Sequence, residues 1–298
     1  MTATNRNPIC IFGEVLFDIF PDGKHVLGGA PFNVAWHLQA FGQTPHFISG
    51  VGDDEEGERI RTAMRGWGMD GSGLQTDPEH PTGRVTVSLD AGEPSYDIVP
   101  HCAYDYVGLD PDHHPSCGLL YHGSLALRNQ VSARSLEQLK TNRPGSIFVD
   151  VNLRDPWWSR DQVMELVTDA DWVKLNQDEL RLLGGNGAEL EEEARRFKDD
   201  NGLTGLILTL GAQGALGLVG DEAPVTVAPS SSLPVIDAVG AGDAFASVLI
   251  LGVVNAWPLS DTMERAQAFA SQIVQRRGAT VDARIFYQPF IDAWDLHA

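Results

Sequence analysis

The chain has 298 residues, 43% of them hydrophobic, enough for one large α/β domain or two small ones and too apolar for disorder. A formal net charge of −20 argues against nucleic acid and anionic membranes as partners, since both need basic patches; the acidity reads as solubility. It leaves room for an anionic small ligand held by a few local donors.

The N-terminal "MTATNRNPICIF" lacks a basic start followed by a long apolar core, so no signal peptide is expected. "ICIFGEVLF" (9–17) predicts a strand, and "FDIFPDGKHVLGG" (17–29) a β excursion turning at Pro21-Asp22-Gly23. "APFNVAWHLQAFG" (30–42) predicts a helix that stops at Gly42. A strand (46–52) and a helix (54–68) follow. "GRVTVSLDAGEPSYDIVP" (83–100) alternates with period two and predicts an antiparallel hairpin outside the main sheet, turning at Asp90-Ala91-Gly92. The stretches 118–123, 146–151, 171–175 and 205–211 predict buried strands, with helices over 131–140, 159–168 and 188–200 between them. The alternation predicts a parallel sheet with helices on both faces. With no repeat and no linker, the reading is one domain over 1–298 with a small β lid from about 17–29 and 83–100. The longest apolar run, 244–257, is shorter than the roughly 20 residues of a membrane span. A soluble, cytoplasmic protein is expected.

Cys10, Cys102 and Cys117 are far apart and odd in number. They support neither a disulfide framework nor a zinc site. The His113-His114 pair lies near Cys117, but Pro111 and Pro115 make that segment a surface loop.

No lysine has the glycine spacing of a Walker A loop. A literal G-x-G-x-x-G over Gly66–Gly71 follows a helix instead of a strand, so it reads as a helix C-cap and leaves an NAD-dependent oxidoreductase only as a rival. The turn Gly240-Ala241-Gly242 has the better context. It precedes Asp243 and a long apolar helix, so its amides can form an anion nest at a helix N-terminus. An ordinary loop with an acidic first turn would look similar. Anion nest and carboxylate in one turn suit phosphoryl transfer, which needs charge stabilisation, a base and magnesium.

Two further stretches fit. "LTLGAQGALGL" places Thr209, Gly211 and Gly214 after a strand, although alone it reads as a β-turn between two strands. "VKLNQDEL" places Asn176 and Glu179 at i and i+3 of a helix start. Either they cap that helix, or they hold magnesium through its waters.

Taken together and in order, these motifs resemble the ribokinase-like (PfkB) carbohydrate kinases. "LGGAPFNVAWHLQAFG" (27–42) and "DAVGAGDAF" (237–245) are similar to the family's two signatures, and "KLNQDE" (174–179) and "TLGAQG" (209–214) to motifs between them. "FGEVLFD" with "GGAPFNVAWHL" is most similar to bacterial fructokinases.

The resemblance implies a three-layer α/β/α fold with a mainly parallel sheet and a β lid, and an ATP- and Mg2+-dependent sugar kinase. Asp243 would be the base, with Gly240, Ala241 and Gly242 as the anion hole. Thr209, Gly211, Gly214, Gly242 and Asn176 would serve the nucleotide. Asn176 and Glu179 would act through magnesium. Asp18, Gly28, Gly29 and Asn33 would meet the sugar, joined by Asp150, Asn152 and Arg154 of "DVNLRDPWW", where Arg154 either contacts ligand oxygens or pairs with Asp155. A monovalent cation such as K+ would sit near Asp237, Val239, Arg276 and Gly278. The lid would help choose the sugar and form a homodimer contact. Ala30-Pro31-Phe32 stands where ribokinases carry glycine-lysine-glycine, which weakens ribose as substrate, and Gln267 replaces an asparagine on the adenine side. Rival substrates are 2-keto-3-deoxygluconate, ribose or a nucleoside; a non-catalytic sugar sensor is a further rival.

Overall fold

The computed structural model describes residues 8–90, 93–109, 115–142, 144–184, 189–229 and 235–296. His113-His114 and the turn residues Ala91 and Gly92 lie outside them. In chain order the elements are β1 (Ile9–Phe12), β2 (Leu16–Ile19), β3 (His25–Gly28), α1 (Ala30–Ala40), β4 (His46–Gly52), α2 (Glu55–Trp67), β5 (Leu74–Asp77), β6 (Gly83–Asp90), β7 (Glu93–Ile98), β8 (Leu119–His122), α3 (Gln130–Thr141), β9 (Ile147–Asp150), α4 (Arg160–Thr168), β10 (Trp172–Asn176), α5 (Gln177–Gly184), α6 (Leu190–Asp200), β11 (Gly205–Thr209), β12 (Ala215–Val219), β13 (Val225–Val227), α7 (Ala241–Val254), α8 (Leu259–Ile273) and α9 (Gln288–Ala293).

The chain divides into two compact units, one from the described residues of Met1–Gly118, Ala126–Pro144 and Thr280–Ala298, the other from Leu119–Leu125 and Gly145–Ala279. Within each unit the strands of the main sheet pair mainly in parallel. Six, in the order β13-β12-β11-β10-β9-β8, belong to the second unit, and three, in the order β1-β4-β5, to the first. Pairing is parallel from β8 through β11 and among β1, β4 and β5, and antiparallel only for β12 and β13. Parallel strands are covered on both faces, which is why "IFV" and "LIL" read as unbroken apolar runs.

The first unit also carries a four-stranded sheet, β3-β2-β6-β7. Val85 and Val87 of β6 face inward while Thr86 and Ser88 face solvent, the period-two pattern of the sequence. The predicted strand 9–17 is split at Gly13, because a Cβ there would lie 2.4 Å from Pro31 Cγ and the chain must turn before β2. Helix α2 starts on the Asp54 carboxylate, which accepts from Gly57 N at 2.8 Å, and ends on Gly68 in the left-handed region, φ 78°. The Gly66–Gly71 run is therefore a helix end, as its context predicts.

The segment after β7 is tied to the segment before α3 by a buried ion pair. Arg128 Nε donates to Asp105 Oδ1 at 2.7 Å and its Nη2 to Oδ2 at 2.8 Å, and Tyr104, which Arg128 also meets at 2.9 Å, packs against Gly83. The side chains are 6% and 2% exposed. Arg128→Met leaves Asp105 charged and buried, so urea unfolding of the variant is expected to show a loss of about 3–5 kcal/mol.

Cys10 and Cys117 form a disulfide across a sequence separation of 107 residues. This corrects the expectation of unpaired cysteines: β1 and the segment before β8 bring together two residues whose spacing carries no signal. Cys102 is buried and reduced. Among the described residues no helix is long and apolar enough to cross a membrane, and no three metal-ligating side chains cluster.

Candidate active site

In the second unit the site is built at the carboxyl ends of β9, β10 and β11 and at the start of α7. Helix α7 is apolar almost throughout, and Ala244–Gly252 are buried. Apart from buried Ser247, only its first turn carries polar side chains, so burial of the rest fixes where that turn lies. Gly240 is its N-cap, at φ 79°, and a Cβ there would lie 2.3 Å from Ala279 Cβ. Glycine is therefore required twice, by backbone conformation and by space. Ala241, Gly242 and Asp243 form the opening turn, where backbone N–H groups lack helical acceptors; that of Ala241 donates instead to Ala238 O at 3.3 Å. Asp243 is half-buried, neither sealed in the core nor fully in solvent.

The loop before α7 is held by Asp237. Its Oδ1 accepts from Val239 N and its Oδ2 from Gly278 N, both at 3.0 Å, and Ile236 N and Asp237 N both reach Val274 O. Asp237, Val239, Gly278 and the neighbouring Arg276 are thus brought to one place, with Val239 and Arg276 exposed. Gln267, on α8, donates to Ser271 Oγ at 3.1 Å.

Parallel pairing sets the rest. Asp150 of β9 stands opposite Lys174 of β10, and Asn176 opposite Thr209 of β11. Asn176 Oδ1 accepts from Glu179 N at 2.9 Å, and Glu179 Oε2 accepts from Asn176 N at 2.8 Å, a reciprocal cap that starts α5. Glu179 Oε1 also accepts from Leu153 N at 3.1 Å. Burial pushes the Glu179 pKa up, against the backbone donors that pull it down. The capping reading is realised. The donors presented here are all oxygens, with Asn176 exposed, and that fits a hard cation held through its waters. After β11, Gly211 (φ 57°) and Gly214 (φ 97°) make the tight turn into β12, and a Cβ on Gly214 would sit on Val227 O. The β-turn is realised as well, with Thr209 at its mouth.

Asp150 is 4% exposed, and both its oxygens are engaged, by Lys174 Nζ at 2.6 Å and Tyr121 OH at 3.1 Å. Asn152 is half-buried and its carbonyl accepts from Ser124 Oγ at 3.3 Å. Arg154 is exposed. Asp155 does not pair with it; instead it accepts from Trp158 Nε1 at 2.8 Å.

In the first unit, Asp18, Gly28, Gly29 and Asn33 meet where β3 runs into α1. Asp18 Oδ2 lies 3.3 Å from where a Gly28 Cβ would be. Gly29, at φ 107°, caps α1 and accepts from Asn33 N at 2.9 Å; a Cβ there would strike Glu14 O at 2.6 Å. Asn33 is 4% exposed, on a helix that is buried nearly all round.

Lys174 was legible only as part of a strand. A lysine inside "WVKLN" was the available signal, since a buried charge requires a partner.

The whole-chain architecture has close counterparts among solved structures. The fructokinase of Vibrio cholerae O395, crystallised with fructose, ADP and calcium, superposes with a TM-score of 0.79 at 27% identity, over 92% of this chain and 94% of that one. This is the ribokinase-like α/β fold. Among sequences, the aminoimidazole riboside kinase of Salmonella typhimurium is 30% identical over 92% of this chain and 91% of its own length, and an Escherichia coli fructokinase is 29% identical over 91% and 92%. The model of the pfkB family carbohydrate kinases matches residues 12–285. The chain belongs to that family.

Proposed function

We propose that the protein is an ATP-dependent fructokinase, transferring the γ-phosphoryl group of ATP to the 6-hydroxyl of D-fructose. One observation carries the reading: a half-buried carboxylate, Asp243, stands in the first turn of a helix whose N-cap is a left-handed glycine, Gly240. The fructokinase relatives support the choice of sugar.

Asp243 accepts the proton of the attacking hydroxyl. The amides of Gly240, Ala241 and Gly242 meet the charge on the transferred group. The helix N-terminus favours the ionised carboxylate. Thr209, Gly211, Gly214 and Asn176 would line the nucleotide site, and Asn176 and Glu179 would hold magnesium through its waters. Magnesium, when bound, neutralises charge on the β- and γ-phosphates. Asp18, Gly28, Gly29 and Asn33 bond sugar hydroxyls, whose fixed donors and acceptors suit carboxylate and amide groups. Exposed Arg154 reaches sugar or phosphate oxygens. Asp237, Val239, Arg276 and Gly278 would hold a potassium ion, which would add positive charge beside the anion-binding turn. The chain acts as one cytoplasmic kinase domain, paired through its β lid.

A second reading, phosphorylation of a riboside, is favoured by the 30% identity with the Salmonella enzyme. ADP release measured over fructose, ribose, 2-keto-3-deoxygluconate and aminoimidazole riboside, with magnesium present and potassium varied, separates the two. The proposal expects the highest kcat/KM for fructose and a rise with potassium. A higher value for the riboside overturns the choice of sugar.

A further inference from the structure

Beneath the α7 turn lies a charged group that the proposed mechanism does not use. Lys174 sits on β10 with 9% of its side chain exposed. Its Nζ is 2.6 Å from Asp150 Oδ1 and would be 3.5 Å from a Cβ on Gly242, so the ammonium packs directly against the turn that carries Asp243. Asp150 is itself held on its other oxygen by the Tyr121 hydroxyl. The chain Tyr121–Asp150–Lys174 therefore leads from β8 through β9 and β10 to the mouth of α7.

We propose that Lys174 is a positioning residue for phosphoryl transfer: its ammonium, clamped by Asp150, fixes the opening turn of α7 and keeps Asp243 in the carboxylate form that accepts the proton. The inference rests on the reading of Asp243 as the base.

Three observations favour this over a purely structural ion pair. An ammonium has three donors, and Asp150 takes one; no other protein acceptor is bonded to it among the described residues. The carboxylates acting on it come from three other elements, Asp150 of β9, Glu179 of α5 and Asp243 of α7. One buried cation thus serves several anions, and Asp150 alone does not account for it. Finally, a buried pair needed only for packing is commonly replaceable by apolar side chains, whereas here the cation lies at the turn that would receive an anion.

The test separates charge from packing by opposite signs. The Asp243 carboxyl is followed by 13C NMR titration in labelled full-length protein, its resonance assigned with Asp243→Asn. In Lys174→Met the cation is gone, and the titration midpoint of Asp243 is expected to rise by about one pH unit or more, as for loss of an opposite charge within a few ångströms. In Asp150→Asn the cation remains and a competing anion is lost, so the midpoint stays or falls. A merely structural pair predicts the same change in both variants. Should Lys174→Met not fold, Lys174→Gln, which keeps a donor for Asp150, takes its place.

In parallel, Lys174→Met is expected to lower kcat about tenfold or more with the sugar KM nearly unchanged, to move the acidic limb of the pH profile upward, and to be partly rescued in Lys174→Arg. An unmoved Asp243 midpoint in Lys174→Met, or equal shifts in both variants, overturns the proposal. That readout needs no turnover, so it is distinct from failure of the kinase reading, which would show as full activity in Asp243→Asn.

Discussion

Asp243→Asn is expected to fold as the parent does and to bind sugar with little change, while its kcat falls by about 10²–10⁴-fold, the range for a removed general base. Asparagine is nearly the same size, and the site tolerates its polarity because Asp243 is only half-buried at a helix start where polar side chains are common. What is lost is the basic carboxylate that takes the proton from the attacking hydroxyl; the amide oxygen still accepts a hydrogen bond but is far too weak a base. The split between the two kinetic constants is therefore diagnostic: the nucleotide and sugar bind before any proton moves, so KM is expected to stay within a few-fold. Steady-state kinetics with ADP detection, alongside calorimetric sugar binding, provide the check. Activity near the parental level would remove Asp243 from the mechanism.

Gly240→Val carries the second largest effect. The residue sits at φ 79°, where a non-glycine residue costs about 1–2 kcal/mol. Its Cβ would also lie 2.3 Å from Ala279 Cβ and 2.4 Å from Ala279 Cα, and that segment is fastened to the same loop through Asp237 and Gly278. The loop cannot keep both its glycine geometry and its tether, so the amides ahead of Asp243 must move. A misplacement of about 1 Å in a positioned group can cost on the order of 10²-fold in rate, and kcat is expected to fall by about that much. Gly202→Ala is the control. It shares a left-handed φ, 66°, but lies outside the proposed site and nothing lies within 4 Å of its Cβ, so it pays only the conformational cost and keeps most of its activity. Equal losses in the two variants would mean that steric crowding at Ala279 has no bearing on the turn.

Sequence pattern located the elements wherever burial and local chemistry agreed. Helix α1, strand β4 and helix α2 with its Asp54 and Gly68 caps fall within a residue or two of their predicted limits. The hairpin of β6 and β7 was visible because one face is buried and the other is not. Strand β5, "LQTD", was missed: it is short and polar, and only its parallel pairing with β4 makes it a strand. The three-residue β13 exists for the same reason, as an antiparallel edge on β12. The Cys10–Cys117 bond depends on tertiary proximity that no spacing announces.

The candidate site divides in the same way. The Gly240–Asp243 turn was readable because conformation, helix start and acid coincide in four consecutive residues. Asn176 with Glu179, and Gly211 with Gly214, carried two readings each, and the local structural one is in place for both. Asp150 and Lys174 are 24 residues apart, and only the β9–β10 register makes them partners. Such contacts are set by the sheet, after the strands have formed.

The most direct measurement is 31P NMR of the wild-type protein with ATP, magnesium and D-fructose. The account predicts a new phosphomonoester resonance, that of fructose 6-phosphate, growing in step with ADP. ADP accompanied only by inorganic phosphate, or no change in the ATP signals with any sugar offered, would contradict it.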